Sequence, residues 1–571
     1  MWNTMDLWKK AKKWYDSKQT PKDSSKNNTP PSGWIDDGLE TEAEYKERWF
    51  SIYIIYFTMF LISLGFGIIL TGVWPYLDRL DPTAGKEFMG YVVAANPFAQ
   101  MLLSPLFGWW SNKLGSIRLP VMSSLAVFTI ASAMYSSLEV VADHRKYWML
   151  FTRLLVGVSS ACIAPCRSYV SAATRFTERT KAVSMISLAQ VLGFVIGPAI
   201  QTSVVPLGNH GFWLIKNFIK LDMYTACGWI NVVMSIFNFC LFMPRFFKER
   251  RIATKEAMLK QGVSTEKDTY DAPDYLSAWT LIIAFFVLVF NFMLLETLGT
   301  SLTMDQFAWT KSESLKYMGI MMFIGGIISI ICFMMISPLT RKFPEHKVMI
   351  WCGFFFMVVG RLVHIPMGDA PPVIYDDSLR VLNQCDNTTF LPIVNETYVD
   401  TTLDYLNVTT VPLGILKDEI SCNNTLETIE LLGCPSSQKW CEYTNAMTLT
   451  QFIAGYIFTC FGYPIGVTLI QTIFSKILGP RPQGVWMGLL TGAGCLSRVM
   501  GPVFVTYIYT EFGTYWTFGF TAVMMIVSMI WLVFFTDKLE VKEKVKEDVE
   551  EATELNNFVT VSLPNVNEIA N

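Results

Sequence analysis

Apolar runs of roughly 18–25 residues recur along the chain, separated by short polar stretches. A helix rises 1.5 Å per residue, so about 20 apolar residues cross a hydrocarbon core ~30 Å thick. The pattern predicts twelve crossing helices, over 52–77, 88–110, 119–139, 147–171, 183–205, 222–243, 276–299, 315–336, 348–366, 447–471, 484–508 and 514–535. Two polar interruptions are longer than a turn. Residues 244–275 form a charged linker that divides the chain into two six-helix halves, 51–243 and 276–536. Residues 367–446 form a long loop on the other side, and tails 1–50 and 537–571 flank the whole. The expected fold is an all-α polytopic membrane protein with twelve transmembrane helices in two six-helix pseudo-repeats, its partner the lipid bilayer.

Composition agrees. The chain has 571 residues, 52% of them hydrophobic, and a mean hydropathy of +0.35. A water-soluble chain of this length would be divided into polar-linked domains of about 100–200 residues. The net charge of −3 changes little, because the charges sit in tails and loops. The first 50 residues are polar and open on no short apolar segment, so no cleavable signal is expected.

Lys and Arg in short loops set the expected orientation. One set of loops carries Lys113 and Arg118; Arg175, Arg179 and Lys181; Arg245, Lys248, Arg250 and Arg251; Arg341, Lys342 and Lys347; and Lys476 and Arg481. That side reads as cytosolic, and an even span count leaves both termini there. The 367–446 loop then lies on the opposite side. It carries four sequons, at Asn387, Asn395, Asn407 and Asn423, and Cys385, Cys422, Cys434 and Cys441. An even cysteine set suits an oxidising compartment, with three pairings open. The other eight cysteines lie in or near spans and are expected only to pack. At the N-terminus, Trp2, Met5, Trp8, Ala11 and Tyr15 recur at helical spacing opposite Lys9, Lys10, Lys12 and Lys13. An interfacial helix and a solvated basic tail both fit. The tail "EVKEKVKEDVEEATE" reads as a solvated charged segment.

The halves repeat. Span five has "LGFVIGP" (192–198) and span eleven "LSRVMGP" (496–502), sharing L-x-x-V-x-G-P. The loops 108–118 and 337–347 also correspond loosely. Duplicated halves suit a transporter whose path runs between them near the midplane. Arg498 stands where the first half has Phe194, so the helix pattern does not impose it.

The loop "GWWSNKLGSIR" resembles the signature loop of the major facilitator superfamily: Gly108, Lys113, Gly115 and Arg118 match, and Asn112 stands where the family has aspartate. "RLLVG" (153–157) resembles its fourth-helix arginine motif, and "GFVIGP" (Gly193, Gly197, Pro198) its fifth-helix motif, with Gly501 and Pro502 the counterparts in the second half. Longer stretches, among them "LTMDQFAWT" and "SKILGPRPQGVWMGLLTGAG", resemble a lysosomal branch of that superfamily. The resemblance implies the twelve-helix fold, a conformational latch in the 108–118 loop, an endolysosomal address and chloride as the anion.

Ionisable residues inside the spans are few: Arg153, Arg167, Arg361, His364 and Arg498 against Glu296. Such groups face a bundle interior or a wet cavity. Four arginines against one glutamate make an electropositive interior that favours an anion. Arg153, Gly157, Ser160, Ala164 and Arg167 share one helical face, the two arginines about 21 Å apart along it. The small residues between them leave room for water, an ion or a neighbouring helix. Arg498 lies too deep to snorkel and is expected to line the path. Arg167 reads equally as a snorkelling residue, Arg153 as a latch or a ligand, and Arg361 and His364 as interfacial anchors. Gly193 and Gly197 read as close-packing positions. Glu296 reads as an arginine's ion-pair partner or as a protonatable coupling group.

Other chemistry is absent. There is no G-x-x-x-x-G-K-[ST] loop, the four histidines (144, 210, 346, 364) are scattered, and no nucleophile–base pattern assembles. Neither an enzyme, a cofactor, a metal nor a nucleic-acid partner is expected. The sequence points to transport of a small anion. The alternatives are a proton- or ion-coupled carrier of an organic anion, and a non-transporting scaffold or sensor.

Overall fold

The computed structural model describes residues 38–70, 72–81, 84–141, 143–208, 211–215, 219–261, 274–375 and 432–540. The four sequons, Cys385, Cys422 and both proposed tail segments lie outside these residues. Twelve helices follow in order: α1 Glu42–Leu70, α2 Gly85–Leu114, α3 Arg118–Ser136, α4 Arg145–Ala173, α5 Arg179–Val204, α6 Thr225–Leu241, α7 Tyr275–Phe307, α8 Lys311–Thr340, α9 Glu345–Val363, α10 Leu449–Leu478, α11 484–512 and α12 514–534. Among the described residues nine helices are long and apolar enough to cross a membrane, one of them the continuous Gly484–Phe534. That one is α11 and α12 joined across Gly513, whose φ of +86° breaks the helix. The 17-residue α6 and α2, with Pro97 and Pro105 inside it, complete the twelve.

The helices outrun the apolar windows. Residues 42–50, assigned to the tail, are the first turns of α1. The cause is Arg48, which has no exposed surface. Its guanidinium donates to both Glu40 carboxylate oxygens (2.9 and 2.7 Å), to Glu178 (3.0 Å) and to the Ala173 carbonyl (2.8 Å). A buried charge is tolerable only when so paired. The linker is likewise not wholly extended: Ala253–Gln261 is helical and Phe247 is buried in the first half's core. Glu249 accepts from the amides of Ile117 and Arg118, both at 3.0 Å, capping the start of α3. Span six begins at Thr225 rather than 222, after an antiparallel hairpin of β1 (Phe212–Ile215) and β2 (Ile219–Leu221).

Each half has its own core. In the first, α1, α3, α4 and α5 share one apolar cluster. In the second, α7 to α12 share another around Leu288, Phe354, Ile470 and Leu490. The larger loop is rooted in the second half: β3 (Ile374–Tyr375) pairs in parallel with β4 (Cys434–Pro435).

Candidate functional site

The halves meet at the end carrying the Lys/Arg-rich loops, here called the basic end. α2 and α11 touch backbone to backbone there: a Cβ on Gly108 would collide with Gly484, and one on Gly488 would lie 2.6 Å from the Ser104 carbonyl. Asn112 sits at this crossing. Its side-chain oxygen accepts from the Gly484 amide at 3.0 Å and its nitrogen donates to the Pro482 carbonyl at 3.4 Å. The neutral amide thus caps the start of α11, where a carboxylate could only accept. Beside it, Arg179 of α5 donates to the Ser475 carbonyl at 3.3 Å. Glu345 of α9 accepts from the Thr180 hydroxyl and pairs with Lys476 of α10 at 2.8 Å. α5 and α8 stay in contact as far as Val195 and Gly326.

Deeper in, charges from both halves converge. Arg167 of α4 is only partly exposed. It donates to Gln190 of α5 at 3.0 Å and to Thr491 of α11 at 3.3 Å. It therefore bridges the halves inside the bundle rather than snorkelling to the interface. Arg498, two turns further along α11, is close enough for the two cations to repel. Tyr463 of α10 lies near Arg498, its ring stacked on Phe292 at 3.9 Å. Glu296 of α7 is the acid that faces Arg498 electrostatically, yet no contact ion pair forms between them. The Glu296 side chain is exposed. Two guanidiniums, a phenol and one carboxylate can hold an anion and adjust its neighbourhood by one proton.

Other intramembrane cations lie elsewhere. The shared face of α4 is not an open lane: the helix turns at 161–162, and a Cβ on Gly157 would collide with the Asn96 carbonyl of α2. A neighbouring helix fills the space the small residues leave. Arg153, 1% exposed, lies over the Phe66 ring at 5.6 Å, and no protein group among the described residues hydrogen-bonds its guanidinium. Arg361 and His364 are not interfacial anchors, since both have no exposed surface. Arg361 donates to the Asn291 carbonyl at 2.5 Å, and His364 stacks on Phe518 at 5.1 Å.

The chain's relatives agree with this architecture. The sequence model of the Major Facilitator Superfamily matches residues 52–375 and 432–565. The chain is also 36% identical over 511 residues to major facilitator superfamily domain-containing protein 8 of Xenopus laevis, covering 87% of this chain and 93% of that one. The chain belongs to the major facilitator superfamily. It is a multi-pass membrane transporter, not an enzyme. Multidrug resistance protein 2 of Bacillus subtilis (strain 168) is 26% identical over 307 residues, 53% of this chain and 70% of that one. The fold matches solved structures of the human organic anion transporter MFSD10 (TM-score 0.53, 14% identity, 85% of this chain and 99% of that one) and of the proton:xylose symporter XylE (TM-score 0.58, 10% identity, 89% and 99%).

Within this transporter, the remaining motif residues have structural duties. Gly115, at φ +63°, ends α2; Lys113 lies over Trp109 at 5.1 Å; Arg118 donates to the Phe247 carbonyl at 2.6 Å. Pro198 and Pro502 lie inside their helices. The eight cysteines outside the loop are free thiols. Of the three pairings left open, Cys434 bonds to Cys441.

The loop's root holds residues the sequence did not mark. Trp440 is fully buried, its indole 5.3 Å from the Tyr509 ring and against Gly513, where a Cβ would lie 2.6 Å away. Tyr509 donates to Asp305 at 2.7 Å, an acid that the predicted end of span seven at 299 left outside the membrane. The Met447 amide donates to Gln306 at 2.8 Å.

Proposed function

We propose that this transporter passes a small anion between its halves, with Arg167 and Arg498 as the positive groups of the path. The convergence of Arg167 and Arg498 from opposite halves, against the single acid Glu296, carries this reading. Arg153, packed within the first half, stands outside the path. The contacts at the basic end close that side, so the path opens toward the long loop. Chloride is the proposed anion and the endolysosomal membrane the proposed site, on the likeness to a lysosomal member of the superfamily. Both termini then face the cytosol, and the loop, glycosylated at Asn387, Asn395, Asn407 and Asn423, faces the lumen.

The test is current across enlarged endolysosomes with chloride replaced on one side by a large impermeant anion. The expected result is a shift in reversal potential that Arg498→Gln removes; unchanged selectivity in a correctly located variant would refute the reading. The exposed Glu296 beside Arg498 and Tyr463 favours a second reading, a proton-coupled carrier of an organic anion. That reading requires saturable, pH-dependent uptake whose pH dependence disappears in Glu296→Gln.

A further inference from the structure

Where α5 of the first half and α8 of the second diverge at the basic end, a side pocket of about 230 Å³ opens on the flank of the bundle. Lys181 and Ser184 line it from α5; Phe333, Met334, Ser337 and Arg341 line it from α8. Phe333, Ser337 and Arg341 are spaced i, i+4, i+8, so they descend one helix face with the charge outermost and the aromatic ring innermost. Lys181 and Arg341 are exposed, and among the described residues neither takes part in an ion pair or hydrogen bond. Glu345, the nearest acid along the chain after Arg341, is already held by Lys476 and Thr180. The pocket therefore has a mouth with two uncompensated cations, no acid in its lining, and the buried Phe333 at its floor.

We propose that this pocket seats the phosphate headgroup of an anionic phospholipid, bridged between Lys181 of one half and Arg341 of the other. A soluble anion would use the cations but not the buried Phe333 or the exposed Met334 beside it, whereas a phospholipid presents phosphate and apolar chain in that order. The pocket opens on the flank at the helix ends, where headgroups lie, and basic pockets between membrane helices are the usual seats of acidic headgroups. At 230 Å³ it falls below the roughly 300 Å³ at which sites for larger solutes begin.

The two cations are brought together by the contact that joins the halves beside them, Thr180 of α5 to Glu345 of α9. Separating the halves there would pull the pocket apart. By linkage, an anionic lipid bound across it holds the closed arrangement, and the closed arrangement binds the lipid more tightly. This regulation is independent of what the central path carries.

The test places the purified full chain in nanodiscs of phosphatidylcholine, with or without a minor fraction of phosphatidylinositol phosphate. Native mass spectrometry counts retained lipid and thermal unfolding measures protection. The expected result is one retained anionic lipid and a raised Tm in wild type. In Lys181→Ala/Arg341→Ala, retention falls about thirtyfold, in line with two lost surface cations. Lys181→Arg keeps the effect, and Lys342→Ala/Lys347→Ala, which removes charge outside the pocket, leaves it unchanged. Equal retention in the Lys181/Arg341 variant, or an equal loss in the Lys342/Lys347 variant, would overturn the proposal in favour of diffuse attraction. Protection by inorganic phosphate alone, in phosphatidylcholine, would overturn it in favour of a soluble-anion site.

Discussion

The two copies of L-x-x-V-x-G-P occupy the same place in the two halves and do different work. In α5, Gly193 and Gly197 press against the backbone of α1: an added Cβ would lie 2.5 Å from the Phe60 carbonyl at the first and 2.7 Å from the Gly67 carbonyl carbon at the second. In α11, a Cβ on Gly501 would find only side chains at ordinary distances, Met293 at 3.4 Å and Phe290 at 3.9 Å. The intervening position follows suit. Phe194 meets Phe66 edge-on at 5.7 Å, whereas Arg498 faces Arg167, Tyr463 and Glu296. One copy makes a dry seam between backbones. The other rests on side chains and leaves space in which a charge can be solvated. Duplication has kept the helix and its proline; the neighbour decides whether the helix seals or lines.

The largest expected effect tests the seam. Gly197→Leu must push α1 away and should cost about 3 kcal/mol, read as a collapse of the folded fraction on size-exclusion chromatography. Gly501→Ala should stay within about 0.5 kcal/mol of wild type. Equal tolerance at both positions would erase the contrast.

Next is the intervening residue. Arg498→Gln should lower anion flux about tenfold, equivalent to about 1.4 kcal/mol, with Tm unchanged. Phe194→Leu should do the reverse, losing about 1 kcal/mol of stability from the aromatic pair and leaving ion selectivity intact. A flux defect in the Phe194 variant as large as that of the Arg498 variant would show that both copies line the path.

A smaller effect concerns the end of the first half away from the basic loops. Asp222 pairs there with Arg79 (3.4 Å) and Lys220 (3.5 Å), and Glu139 pairs with the same two cations (3.0 and 2.6 Å). Burial works against the charged form of Asp222, but amide donors at Thr225 and Tyr224, with Arg79, outweigh it and hold the pKa below its usual value. A depressed carboxylate stabilises the fold above its unfolded pKa of about 3.9, and that stability is lost only as pH falls through the lower folded value. Asp222→Asn should therefore cost about 1 kcal/mol equally at pH 7 and pH 5. A penalty at pH 7 that vanished by pH 5 would mean that Asp222 titrates in the folded protein between those two values. The smallest effect is expected from Asn112→Asp, within about 0.5 kcal/mol. The carboxylate strengthens the bond from the Gly484 amide but forfeits the one to Pro482, and cysteine cross-links between α2 and α11 would report the balance.

Much of the fold was legible because a bilayer demands about twenty apolar residues per crossing, and each window falls on a helix. Its margins were not. Glu42 to Phe50 looks like a tail because its buried charge, Arg48, is anchored to the bundle by Glu178 and Ala173, more than a hundred residues away. The same limit governs the site. Depth and charge singled out Arg498 and Glu296, but the bridge from Arg167 to Thr491 joins residues 324 apart, and no periodicity encodes it. Helical spacing placed Arg153 and Arg167 on one face, and the turn at 161–162 directs only the second toward the other half. Trp440 left no trace, since a tryptophan in a polar loop shows its socket only once Gly513 and Tyr509 surround it.

The root of the long loop makes the transport core indifferent to what hangs from it. β3 and β4 hold residues 374–375 beside 434–435, the Cys434–Cys441 bond fastens the returning strand to the turn that carries Trp440, and Trp440 packs against Gly513 between α11 and α12. A chain cut between β3 and β4 keeps both ends fastened to the second half, and a shorter or longer segment spliced there meets the same two anchors.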